Sequence, residues 1–115
     1  MKFETDCLFC KFATNEISVP KIFENDRVFA IDDIAPQAPT HILVIPKFHS
    51  ENAVATALEQ SGTLDELFLA VGDIAADLGI SDYRTVFNTG AGAGQSVFHA
   101  HLHLLAGRAF AWPPG

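Results

Sequence analysis

Positive charge is scarce in this chain: seven Lys and Arg stand against fourteen Asp and Glu, a formal net charge of −7 over 115 residues. No basic stripe is available to displace counterions along a phosphate backbone, which argues against long nucleic acid as a partner. A small anionic ligand needs only a local site and stays open. Long apolar runs are also missing. The densest stretches, Ile42 to Ile45 and Leu67 to Val71, fall far short of the roughly 18 residues of a membrane span. The first residues, Met-Lys-Phe-Glu-Thr-Asp-Cys, carry no apolar signal core, so a cytoplasmic protein is expected. Cysteine is confined to Cys7 and Cys10. A reducing compartment makes a structural disulfide between them an unfavoured reading. A lone Cys-x-x-Cys leaves three readings open: a redox pair, half of a zinc site, or two packed thiols.

What is present is ordinary for a compact chain: 49% apolar and 18% charged residues, which excludes a disordered protein. One domain is expected over residues 1–115, since no repeat, linker or low-complexity tract divides it. Lys21 to Glu24 and Val28 to Asp32 predict two strands joined at the turn-forming pair Asn25-Asp26. His41 to Ile45 predicts a buried strand ended by Pro46, with His41, Leu43 and Ile45 on one face and Ile42 and Val44 on the other. Leu64, Leu67, Phe68, Val71, Ala75 and Leu78 recur at helical spacing. Thr63 with Glu66 reads as a capping box, and Gly79 as the helix stop. Arg84 to Asn88 and Val97 to Leu105 read as further strands, separated by Gly90-Ala-Gly-Ala-Gly-Gln-Ser96. The pattern predicts an α+β fold: an antiparallel sheet of about five strands with one long helix and a short helix.

The chemistry concentrates in His99-Ala-His-Leu-His-Leu-Leu105. On a strand, His99, His101 and His103 share one surface while Ala100, Leu102 and Leu104 enter the core. Three aligned imidazoles suit a metal site or a phosphoryl-transfer site. A catalytic metal wants spread ligand vectors and a carboxylate, and no acid lies within the motif. The upstream loop favours phosphate. Gly90, Gly92 and Gly94 let backbone N–H groups turn toward an anion, and Ser96 adds a hydroxyl. The loop is neither a Walker loop nor a Rossmann turn, because no Lys follows and a strand comes next.

Gly-Gln-Ser-Val-Phe-His99-Ala-His-Leu-His-Leu-Leu-Ala-Gly-Arg108 resembles the signature of the histidine-triad (HIT) nucleotide-binding proteins. Phe29-Ala-Ile-Asp-Asp-Ile34, Pro36-Gln-Ala-Pro-Thr-His-Ile-Leu-Val-Ile-Pro-Lys47, Tyr83-Arg84 with Asn88, and Trp112-Pro-Pro-Gly115 agree with it and resemble the Hint-like branch. The resemblance runs through most of the chain from Lys21 onward and implies the HIT-like fold. It also implies a nucleoside phosphoramidase that cleaves purine nucleoside 5′-phosphoramidates, with His101 as the nucleophile at the α-phosphorus. His103 and His99 would hold the phosphate and share protons. Ser96, with the Gln95 and Ser96 amides, would stabilise phosphoryl charge; Gly94 and Asn88 match phosphate-side positions, and His41 a supporting fourth histidine. Asp33 matches the ribose contact, and Phe9, Ile17, Phe29, Ile34 and Leu43 the apolar slot for the base.

The resemblance extends to the cysteines. Some relatives, and the galactose-1-phosphate uridylyltransferases, hold a structural zinc on an N-terminal Cys-x-x-Cys and two histidines; here these would be Cys7, Cys10, His49 and His99. In that case His99 orients the triad and takes no part in acid–base work. No catalytic metal is implied. A homodimer is expected through the helix from Thr63 to Leu78, with Ala70, Val71, Ile74 and Ala75 as its stripe, and through the edge strand from Arg84 to Asn88. The tail from Ala109, with Trp112, would reach the partner's site. A regulatory AMP-binding module and a dinucleoside polyphosphate hydrolase are the alternatives. An intact His101 favours an enzyme over the first, and the Trp-Pro-Pro-Gly ending favours the Hint-like branch over the second.

Overall fold

Val28-Phe-Ala-Ile-Asp32 and Thr40-His-Ile-Leu-Val-Ile-Pro46 concentrate β-branched and apolar residues that pack well on a pleated surface. They form adjacent inner strands of the sheet. The structure, a computed structural model, describes residues 2–115. Its elements run α1 (Leu8–Ala13), β1 (Phe23–Glu24), β2 (Val28–Asp32), β3 (Thr40–Pro46), α2 (Ala53–Glu59), α3 (Thr63–Leu78), β4 (Tyr83–Val86) and β5 (Leu102–Ala106), with a 3-10 turn at Ala91–Ala93. The five strands make one antiparallel sheet in the order β1-β2-β3-β5-β4. The α+β expectation holds, with two short helices where one was expected. Among the described residues no helix is long and apolar enough to cross a membrane.

Strand alternation sorts the core into two layers. Val28, Ala30, Ile42, Val44, Leu102 and Leu104 face α3, where Leu67, Ala70, Val71 and Ile74 meet them. Leu67 is fully buried there, and truncating such a side chain to Ala costs about 2–5 kcal/mol. Phe29, Ile31, Leu43 and Ile45 line the opposite face and pack with Phe9 of α1.

Several expectations need correction. The buried face of α3 is Thr63, Leu67, Ala70, Val71, Ile74 and Ala75, whereas Phe68 and Leu78 are exposed. Ala70, Val71, Ile74 and Ala75 are therefore committed to this chain's own core and cannot form a dimer stripe. The capping box is absent. Gly62 is the N-cap, at φ +83°, with no side-chain cap, and the Thr63 hydroxyl instead accepts from Arg27 at 2.6 Å. The helix stop at Gly79 stands, in the left-handed conformation. The first hairpin strand shortens to Phe23–Glu24, and the strand expected at Arg84 to Asn88 occupies Tyr83–Val86. The strand expected from Val97 begins only at Leu102. Ahead of it, Ala100 N–H bonds the carbonyl of Ser50 at 2.8 Å and not a neighbouring ladder, so His99 and His101 lie on an irregular segment leading into β5.

Candidate active site and metal cluster

Register places the site. Residues directly opposite in antiparallel strands share a face, so Ile31, Leu43, His103 and Val86 form one rung across β2, β3, β5 and β4. The next rung holds His41, Leu105 and Arg84. Both rungs lie on the face opposite α3.

The histidine tautomers follow from the hydrogen bonds. The backbone N–H of Gln37 donates to His41 Nδ1 at 3.0 Å, which leaves the proton of neutral His41 on Nε2. That nitrogen lies 2.9 Å from His103 Nδ1 and 3.4 Å from Asp33 Oδ2. His41 therefore donates, His103 accepts at Nδ1, and the proton of His103 stays on Nε2. His103 Nε2 is the one buried side-chain polar atom without a partner among the described residues. It is a donor awaiting an acceptor. Burial first, then the like charges of His101 and His41, push the His103 pKa down to about 4, so the ring is neutral at pH 7.

His101 lies 5.0 Å from His103, centroid to centroid, against the edge of Phe9. Its Nδ1–H donates to the carbonyl of His99 at 2.8 Å, which leaves the lone pair on Nε2. Desolvation is the main cause holding its pKa below the usual histidine value. A neutral imidazole with one nitrogen anchored and the other free is a nucleophile.

His99 does not join these two. It is fully buried, and its Nε2–H donates to the Pro46 carbonyl at 2.7 Å, leaving the Nδ1 lone pair 3.2 Å from Cys7 Sγ and 3.4 Å from Cys10 Sγ. His49 Nδ1 lies 3.6 Å from Cys10 Sγ. With both nitrogens engaged away from His103, His99 cannot share protons with the phosphate. The ligand atoms of Cys7, Cys10, His49 and His99 all lie within 4.8 Å of one another. Two thiols and two imidazoles at this spacing fit a closed tetrahedral zinc centre. Cys7 is the N-cap of α1 and accepts the N–H of Cys10, so the helix start presets the pair. Burial pushes the Cys10 thiol up to about 11. Asp33, His41 and His103 form a second compact set, but the facing histidine nitrogens already bond each other.

The remaining expected residues divide. Asp33 accepts Ala35 N–H on Oδ1 at 2.8 Å and turns its other oxygen to His41. Asn88 borders the same cavity as His41 and His103, and its amide lies beside Gly94, where an added Cβ would stand 3.7 Å away and the φ is +96°. Gln95 is buried: its side chain accepts Gly90 N–H at 2.9 Å and donates to the Glu51 carbonyl at 2.7 Å, which ties down the glycine loop. Ser96 is exposed and borders a neighbouring cavity with Cys7 and His49. Of the base slot, Phe9 and Leu43 lie together in the apolar layer. Phe29 joins them but is fully enclosed, so it backs the slot without an open surface for a base. Ile34 is completely exposed and Ile17 is 40% exposed; neither joins that layer.

Sequence reasoning missed several residues of the site. Ile31 is paired with Leu43 and nearly buried; strict alternation from Phe29 points to it. Gln37 acts through its backbone, which leaves no side-chain signal. Arg84, Arg108 and Phe110 complete a cavity of about 410 Å³ with His41 and His103, a volume suited to a small ligand. The tail reaches this cavity within the same chain, while Trp112 points outward, 83% exposed.

Comparison with known proteins agrees with this arrangement. A family model described as HIT domain matches residues 14–110. An uncharacterized HIT-like protein of Synechococcus elongatus is 48% identical over 111 residues, 96% of this chain and 97% of the relative. The crystal structure of a HIT family hydrolase from Legionella pneumophila matches with a TM-score of 0.89 at 45% identity, over 96% of this chain and 100% of the other. A 14 kDa zinc-binding protein of Zea mays is 41% identical, over 97% of this chain and 90% of the relative.

Proposed function

The chain belongs to the HIT domain family, and from that premise we propose that it hydrolyses purine nucleoside 5′-phosphoramidates through a nucleotidyl-histidine intermediate. One observation carries the proposal: the 2.8 Å bond from His101 Nδ1–H to the His99 carbonyl, which frees Nε2 beside the unpartnered donor of His103. His101 Nε2 attacks the α-phosphorus, an N–P bond forms, and the bond to the amine breaks. The amine takes a proton from water. The hydroxide left behind then attacks phosphorus, releases His101 and gives the nucleoside monophosphate. Neutral His103 acts as a hydrogen-bond donor to the phosphoryl group, because losing its only ring proton would leave an imidazolate.

The nucleoside lies toward β2 and β3, with Asp33 on the ribose hydroxyls and Leu43, Ile31 and Phe9 under the base. Asn88 lines the phosphate side with Gly94 beside it, and in this reading the Ser96 amide and hydroxyl reach the phosphate from the neighbouring cavity. The hydrolase named in Legionella pneumophila supports a reaction with water.

Cys7, Cys10, His49 and His99 hold one structural zinc in this reading, and the zinc-binding name of the maize relative supports it. The bound metal would crosslink the amino-terminal helix to the segment before β5. The chain also forms a homodimer in this reading. Its support is β4, which ends the sheet with an unpaired edge, with exposed Tyr83 on that strand and half-exposed Phe68 against Phe87 just beyond it. A cytoplasmic setting suits two cysteines that form no disulfide.

Turnover of adenosine 5′-phosphoramidate by the wild type and by His101→Ala tests the function. The substitution should remove activity by about 10³-fold or more while AMP affinity stays within roughly tenfold. Full activity in the variant rejects the assignment.

A further inference from the structure

Two arginines border the cavity that His41 and His103 line. Arg84, on β4 opposite Leu105, donates one N–H to the Ala111 carbonyl at 3.1 Å. Arg108 donates to the carbonyls of Gln37 and Ala109, each at 3.0 Å. Both guanidinium groups lie over the ring of Phe110, at 5.3 and 4.3 Å from its centroid. Each group carries five N–H donors, so most remain available.

Neither arginine has a carboxylate partner among the described residues. Lys2, Lys21 and Lys47 each pair with a glutamate, Arg27 is used on Ser61 and Thr63, and Lys11 stands on α1 without an ion pair among the described residues. What sets Arg84 and Arg108 apart is convergence: in a chain of net charge −7, two cations without an acid are brought to one ring. No carboxylate side chain lines the cavity they share with His41, His103 and Asn88; Gly115 also borders it, and its terminal carboxylate forms no ion pair with either arginine. Convergent like charges repel at close range, and an anion between them removes that cost. Arginine also suits the planar, two-oxygen geometry of carboxylate and phosphate.

Position gives the anion its place in the reaction. Along the His103 rung, β2 and β3 lie on one side of β5 and β4 on the other. The nucleoside is assigned to the β2–β3 side, so the β4 side receives what departs. Arg84 stands one rung beyond His103, about 7 Å along the strand, within reach of a group a few bonds from the phosphorus.

We propose that Arg84 and Arg108 form an anion subsite for the leaving group, so that preferred substrates carry an oxyanion, carboxylate or phosphate, a few bonds beyond the scissile bond. This rests on the phosphoramidase reading and adds the class of leaving group to it. The Phe110 ring holds both guanidinium groups in place by cation–π contact, which makes the tail part of specificity.

The test uses ratios, which cancel general loss of folding or activity. For the carboxylate source, adenosine 5′-phosphoramidates of propylamine and of 3-aminopropanoate are compared by kcat/KM. For the phosphate source, AMP and ADP are compared by calorimetric affinity. The wild type should favour the more anionic member of at least one pair by fivefold or more, and the Arg84→Gln/Arg108→Gln double variant should bring that ratio to within twofold of one. Which pair responds identifies the source. A wild-type ratio below fivefold in both pairs, or a ratio that survives in the variant, overturns the subsite. Failure of both amidates to turn over would reject the phosphoramidase reading, and the AMP–ADP pair alone would then decide the subsite.

Discussion

His41 donates through Nε2–H to Nδ1 of His103 across 2.9 Å, and the direction of that bond is set by a third group, the backbone N–H of Gln37 on His41 Nδ1. The consequence is a fixed donor at His103 Nε2, buried and without a partner, where a phosphoryl oxygen is expected. Replacing His41 by Phe keeps an aromatic ring but releases His103 to take either tautomer. Phosphoramidate turnover should fall by roughly 10²-fold, with the loss in kcat. Unchanged kcat would show that the tautomer of His103 does not matter.

Acid should destabilise the fold before its carboxylates protonate. Burial holds His103, and His99 with it, to about 4 in the folded chain, against about 6.5 when unfolded. Between those values the unfolded chain binds at each a proton that the native one refuses, so stability falls as pH drops through that window and is level above it. Urea midpoints should decline steadily from about pH 7 to about pH 4.5, and His103→Gln should shallow the decline. A slope unaffected by the substitution would remove His103 as one of its two sources and leave His99.

Much of this site is visible in the sequence because local rules and tertiary demands coincide. The triad spacing, the Cys-x-x-Cys and the alternation of His41 to Ile45 each survive folding. Elsewhere distant groups decide. Thr63 looks like a cap until Arg27, far back in the chain, takes its hydroxyl. His99 looks like a strand residue in register with His101 until the thiols of Cys7 and Cys10 draw its ring away. Periodicity locates α3 but not its contact face, since Phe68 and Ala70 both border an apolar stripe and only packing against β2 and β3 selects between them. The family resemblance puts Ile34 in the base slot, yet its loop leaves it in water.

Zinc analysis should find close to one metal per chain in protein kept from chelators. Cys7→Ser should lose it and lower the melting temperature by about 10 °C, the effect of roughly 2 kcal/mol on a domain of this size. Metal-free wild type with the same melting temperature as the variant would leave the cysteines as packed thiols.

Light scattering at micromolar concentration should give the mass of two chains. Phe68→Glu, which places charge on the exposed side of α3 away from the core, should shift it to one chain while the circular dichroism of the fold is kept. A wild-type monomer would refute the dimer and the proposed use of the β4 edge.

The most direct measurement is the covalent intermediate itself. Wild-type protein mixed with adenosine 5′-phosphoramidate, quenched within milliseconds and kept alkaline to preserve P–N bonds, is digested and mapped by mass spectrometry. One nucleotidyl group on His101 is the result expected, absent from His101→Ala. An adduct on His99 or His103, or rapid turnover with none on any histidine, would contradict the assignment of His101 as the nucleophile.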